Sequence, residues 1–132
     1  MDQSGRVAVL QHYRHPHGYG LVAGFPVHSG TNPGCADQIS FQAGSQEGTF
    51  WLRFEAQGCA VSRATASILI SELEAAPAEA KQVLANFRAA LEGKECSLPE
   101  SLTQLSAFVR SAHRESCALL PARLVGEALA EL

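Results

Sequence analysis

The apolar residues of this chain change their period at Ala60. Before it they alternate: Ile39, Phe41 and Ala43 fall on one side of an extended segment, and Phe50, Leu52 and Phe54 on one side of the next. After it they recur at threes and fours, as in Val61, Ala64, Thr65, Ile68, Leu69 and Leu73. A chain that places its strands first and its helices after folds as an α+β domain, here a three-stranded antiparallel sheet covered on one face by helices. With 132 residues it has enough length to bury a core without disulfide staples, so residues 1–132 are read as one domain.

The elements follow from punctuation as much as from period. Residues 4–14 predict a short helix with Val7, Leu10 and Tyr13 on its inner side, ended by Pro16, Gly18 and Gly20. Leu21 to His28 reads as the first strand, and Ser29 to Gly34 as a turn-rich loop. Asp37 to Ala43 forms the second strand, Gly44 to Gly48 a polar connection, and Thr49 to Ala56 the third. Helices are then predicted from Ala60 to the interruption at Pro77, from Pro77 at the first helical position to a stop at Gly93, over Ser101 to Val109, and from near Cys117 to the C-terminus.

Composition narrows the function classes. A net charge of −3 provides no broad basic field for phosphates, which argues against nucleic acid. No apolar run is long enough to span a membrane, and the N-terminal stretch lacks the basic start and small-residue cleavage site of a secretory signal. A cytoplasmic protein is expected. In that compartment Cys35, Cys59, Cys96 and Cys117 stay reduced, so metal binding or thiol chemistry is a better use for them than a disulfide framework.

Three of these cysteines stand at element boundaries. Cys35 lies in the loop before a strand, and Cys59 and Cys117 lie just before helices, away from expected core positions. A helix N-terminus favours thiolate over thiol. A single cysteine is most often inert packing, but three at boundaries point the other way. Asp37, two residues from Cys35 on an extended segment, can face the same side, and three thiolates with one carboxylate satisfy tetrahedral zinc. Taken alone, Asp37 is a turn residue after Pro-Gly. Four such anionic ligands on a dication leave a double negative charge, which Arg63 or Arg114 is expected to offset.

"NPGCAD" (32–37), "GCAVSRATASIL" (58–69) and "RESCALL" (114–120) resemble, in order, the three cysteine motifs of the U-type iron–sulfur cluster assembly proteins, the IscU, SufU and NifU N-terminal group. "HYRHPHGYGLV" (12–22) resembles that family's N-terminal segment. The resemblance implies Cys35, Asp37, Cys59 and Cys117 as the metal or cluster site. It leans to the SufU branch: "FVRSAHRES" (108–116) stands where IscU has its Leu-Pro-Pro-Val-Lys motif, the 58-position gap from Cys59 to Cys117 resembles the longer SufU arrangement, and Arg114 matches an arginine of SufU-like proteins. Ser116 departs from the histidine or lysine that the family places there; His113 is nearby, but a histidine in so polar a stretch is more often solvated than a ligand, and Pro121 and Ala122 stand where SufU-like proteins often carry tryptophan. Cys96 has no counterpart in the family's site.

The SufU resemblance implies a zinc-dependent sulfur acceptor, with a PLP-dependent cysteine desulfurase of the SufS type as donor. Cys35 is the preferred acceptor, because a loop cysteine swings out more readily than one at a helix start. The IscU resemblance implies instead a non-enzymatic scaffold that holds a [2Fe–2S] cluster on the same residues and passes it to apo iron–sulfur proteins or a downstream scaffold. Two further classes stand beside these: a cysteine hydrolase using one of the five histidines, and a purely structural zinc domain.

Overall fold

The computed structural model describes residues 3–34 and 37–132. Helix α1 (Ser4–Arg14) is followed by strands β1 (His28–Asn32), β2 (Asp37–Gln46) and β3 (Thr49–Gln57), then by helices α2 (Ala60–Ala75), α3 (Ala80–Leu91), α4 (Glu100–Ser111) and α5 (Glu115–Ala130). The strands form one antiparallel sheet in the order β1-β2-β3. α2 and α5 pack on one face of it, α1 against α2 and α4, and α3 against α4 and α5.

The alternation that predicted β2 and β3 also builds the core. Ile39, Phe41 and Ala43 pair across the strands with Ala56, Phe54 and Leu52, and all six are buried. The Phe41 and Phe54 rings stack at 5.9 Å between centroids. Ile68, Leu69 and Leu73 of α2 and Leu124 of α5 close this layer. β2 runs on past Ala43 to Gln46, so the expected five-residue connection shrinks to Glu47 and Gly48, both with positive φ. That geometry matches the twist of a two-residue hairpin. Gly44 stays inside the strand because the Trp51 indole lies directly over it, where a Cβ has no room.

Two expectations are corrected near the N-terminus. Val7, Leu10 and Tyr13 are exposed, whereas Gly5 and Val9 are buried. The helix turns its small residues inward: a Cβ on Gly5 falls 2.7 Å from the Phe108 Cβ, so the backbones of α1 and α4 approach more closely than larger side chains permit. The first strand is not Leu21 to His28 but His28–Asn32, which beyond His28 lies in the stretch expected to be a turn. Residues 21–27 instead cross the outer face of the sheet, where the buried Gln42 side chain accepts from Val22 N–H and donates to the Val22 and Phe25 carbonyls. Phe25 meets Trp51 edge-on at 4.8 Å. β1 is a short polar edge strand, and Gly30 leaves room for Leu120 and Arg123 of α5.

The helical boundaries lie close to their expected places. Pro77 opens a single 3-10 turn (Pro77–Glu79) before α3, and Gly93 follows α3 with φ +90°. α5 begins at Glu115 and not at Cys117, which moves Cys117 into its first turn.

Candidate metal centre

Three chain segments converge where the sheet meets the helix starts. β2 is the central strand, so its first residue, Asp37, lies beside Asn32 at the end of β1, and the next pair, Gln38 and Gln57, ends β3. Gly58 then folds the chain back over Asp37 with φ +127°. A Cβ at Gly58 falls 2.8 Å from the Asp37 Cα and closer still to Oδ1, so only glycine fits this crossing. Cys59 follows as the extended N-cap of α2, and the first turn of α5 brings Cys117 to the same point. One donor atom from each of Asp37, Cys59 and Cys117 lies within 4.8 Å of the others.

Hydrogen bonds fix the carboxylate. Asp37 Oδ1 accepts the Cys59 backbone N–H at 2.8 Å, and Oδ2 accepts the Ser62 hydroxyl at 2.7 Å and faces the Cys59 Sγ at 3.7 Å. Asp37 is wholly buried, which by itself raises a carboxyl pKa; the bonds from Cys59 N–H, Ser62, Cys117 and the Cys59 thiol outweigh burial and hold it below its ordinary value. Asp37 is therefore an anion at neutral pH, set at the positive end of α2.

Cys117 is fully buried, which corrects its expected place outside the core. Asn32 holds it: the Asn32 amide donates to Ser116 Oγ at 3.2 Å and approaches Cys117 Sγ at 3.9 Å, while Asn32 Oδ1 accepts the Gly34 N–H at 3.2 Å. One buried side chain thus ties α5 to the loop that leads toward Cys35. Cys35 itself lies outside the described residues. Cys59 is partly exposed and forms the open side of the group.

The remaining candidates lie outside that donor group. Arg114, exposed, is the N-cap of α5, and His113 turns the chain with φ +56° on the exposed α4–α5 connection. Neither His113 nor Cys96 belongs to the clustered donors among the described residues. Arg63, one turn after Cys59 on α2, lays its guanidinium on the rings of Tyr19 and Tyr13, at 4.5 and 5.5 Å from their centroids. Asn32, Gly58 and Ser62 are site residues that periodicity does not mark. For Gly58 and Ser62 the available signal was position, directly before Cys59 and one helical turn after it.

The donor set suits a tetrahedral metal. Bonds of about 2.3 Å to sulfur and about 2.1 Å to oxygen separate neighbouring donors by about 3.5–3.8 Å, so the group needs to contract by only about 1 Å. Two thiols and a carboxylate fit zinc or iron and do not resemble the all-oxygen shell of magnesium or calcium.

Residues 5–118 match the model of the NifU-like N-terminal domain family. No curated protein matches the chain. Among solved structures, a protein from Fervidobacterium islandicum described as an iron–sulfur cluster assembly scaffold for the SUF system superposes with a TM-score of 0.76 at 23% identity, covering 92% of this chain and 93% of that one. A nitrogen-fixing NifU-like protein (N-terminal) from Brucella abortus gives 0.78 at 16% identity, covering 97% and 94%. A hypothetical protein gives 0.77 at 22% identity, covering 98% and 99%. At these identities the structural likeness establishes the fold.

Proposed function

The chain belongs to the NifU-like N-terminal domain family of iron–sulfur cluster assembly scaffolds, and from that premise we propose that it acts as a SufU-like sulfur acceptor at a zinc site formed by Cys35, Asp37, Cys59 and Cys117. The observation that supports this most is the convergence of Asp37, Cys59 and Cys117 donors within 4.8 Å at the starts of two helices. Bound zinc would keep the thiols as thiolates at neutral pH.

The donor is a PLP-dependent cysteine desulfurase carrying a persulfide. The Cys35 thiolate attacks the outer sulfur of that persulfide; an S–S bond forms on Cys35, the original S–S bond breaks, and the desulfurase cysteine leaves as a thiolate. No net oxidation occurs, so no further oxidant or reductant is needed. Asp37, Cys59 and Cys117 would hold the zinc while Cys35 serves as the acceptor. The sulfur then goes to a downstream scaffold or apo iron–sulfur protein in the cytoplasm. No helix among the described residues is long and apolar enough to cross a membrane.

A second reading places a [2Fe–2S] cluster on the same residues, with Asp37 as the ligand that eases its release. The scaffold description of the Fervidobacterium protein, which shares this fold, favours it. Against it, Ser116 and not a histidine precedes Cys117, and that hydroxyl is engaged by Asn32.

Purified protein separates the readings. One tightly bound zinc per chain, together with stimulation of a cysteine desulfurase that is lost in Cys35→Ala, supports the acceptor. Bound iron with acid-labile sulfide and visible absorption supports the scaffold. If Cys35→Ala leaves desulfurase stimulation intact, the acceptor assignment is overturned.

A further inference from the structure

Arg63 is the one arginine whose buried atoms lack an acceptor among the described residues. Its Nε is buried and makes no hydrogen bond, although a guanidinium N–H is among the costliest groups to leave unpaired away from water. Nor does any carboxylate within salt-bridge distance accompany it among the described residues. What holds the group is aromatic: the guanidinium carbon lies 4.5 Å from the Tyr19 ring centroid and 5.5 Å from that of Tyr13. A cation on ring faces keeps its charge and its N–H donors, because the rings take up neither fully.

The place of this cation matters. Arg63 is four residues after Cys59, the N-cap of α2, and its backbone N–H reaches the Cys59 carbonyl at 3.5 Å. It follows Ser62 directly, whose hydroxyl binds Asp37. Tyr19 also lines, with Gln38 and Gln57, a polar cavity of about 230 Å³. Gln38 follows Asp37, and Gln57 precedes Gly58–Cys59, so the aromatic shelf under Arg63 borders the strand ends that carry the centre. A dication held by three thiolates and one carboxylate carries a double negative charge, and a nearby guanidinium supplies both opposite charge and hydrogen bonds to sulfur or carboxylate.

Resting on the metal-centre reading, we propose that Arg63 is a positioning residue for the loaded centre: its guanidinium, stored on Tyr13 and Tyr19, donates to the anionic ligand shell that forms when metal binds. The charge of the shell supplies the acceptor that Nε lacks.

The test measures zinc affinity of the full chain by competition with a chromophoric chelator. Arg63→Gln keeps a polar stem and removes the charge; it is expected to weaken zinc binding about tenfold, whereas Arg63→Lys recovers most of that loss. The wild-type advantage over Arg63→Gln is expected to shrink in high salt. Melting of the apo proteins accompanies each measurement, since a purely structural role lowers the melting temperature of both variants and does not distinguish lysine from glutamine. Equal zinc affinity of wild type and Arg63→Gln overturns the proposal, and so does an equal loss in both variants. Cys59→Ala separates the two layers: if it binds zinc as wild type does, the metal-centre reading itself fails, whereas loss in Cys59→Ala with none in Arg63→Gln removes the Arg63 proposal alone.

Discussion

The Asp37 carboxylate reaches across 22 residues of chain to accept the Cys59 backbone N–H at 2.8 Å. Cys59 is the N-cap of α2 and makes no capping bond with its own side chain. Asp37 therefore does the work of a cap from the neighbouring strand, and the Cys59 sulfur is left available for ligation. One bond both anchors the helix start and sets the geometry of the centre.

Asp37→Ala removes the acceptor of the Cys59 N–H and the buried Ser62 hydroxyl, along with the weaker thiol contacts, and is expected to cost about 2–4 kcal/mol. Asp37→Asn keeps one oxygen for Cys59 and is expected to retain most of that stability while weakening zinc binding, because its charge is gone. Urea denaturation of the apo proteins, paired with zinc titration, reads the two effects separately.

The same bonds make apo stability depend on acid. Burial raises the Asp37 pKa and its hydrogen bonds lower it by more, so its folded pKa lies under the ordinary 3.8. The unfolded chain then binds the proton more readily. The contribution is complete above that ordinary value and is lost as pH falls through the folded pKa. Asp37→Asn is expected to flatten this acidic limb of a plot of urea midpoint against pH; an unchanged limb would assign it to other carboxylates.

His12 provides a second, separate limb. Its Nδ1 lies 2.7 Å from Ser67 Oγ, and burial first, then the charge of His17, holds its pKa below 6.5 against the opposing Glu72. The folded state prefers the neutral ring. Its contribution to stability is full above 6.5 and is lost as pH falls through the lower folded pKa. His12→Gln, followed by urea midpoints from about pH 5 to about pH 7.5, is expected to remove that slope.

Sequence pattern revealed the architecture where side chains face a common core. β2 and β3 alternate apolar residues toward the core, and α2 sets Ile68, Leu69 and Leu73 there, so their periods are plain. α1 was turned the wrong way because its packing face uses Gly5 and Ala8, residues that add little to an apolar stripe, while Val7 and Leu10 point outward. β1 was missed because an edge strand reading His-Ser-Gly-Thr-Asn has the composition of a turn. At the site, Asp37, Cys59 and Cys117 are legible through their places at element boundaries. Asn32 is not: its partners Ser116 and Cys117 are 84 and 85 residues away, and only the closed fold brings them together.

The orientation of α1 has a direct check. Val9→Ala removes two buried methyl groups' worth of packing and is expected to cost about 1–2 kcal/mol, whereas Val7→Ala on the exposed side is expected to fall within about 0.5 kcal/mol of wild type. Equal costs by thermal denaturation would mean that the helix does not present Gly5 and Val9 to α2 and α4.

Thiol accessibility tests the centre without any partner protein. Cys59 and Cys96 are partly exposed and Cys117 is fully buried, so iodoacetamide is expected to alkylate the first two in the apo protein well before the third. Zinc changes the reactivity of ligands alone. If Cys59 belongs to the centre, saturating zinc slows its alkylation strongly. Cys96, on the segment between α3 and α4, continues at its apo rate and so reports any general tightening of the fold. Peptide mass spectrometry after timed quenching gives each cysteine separately. Protection of Cys59 and Cys96 alike would point to global stabilisation, and protection of neither would remove Cys59 from the ligand set; selective protection of Cys59 ties the metal to the start of α2.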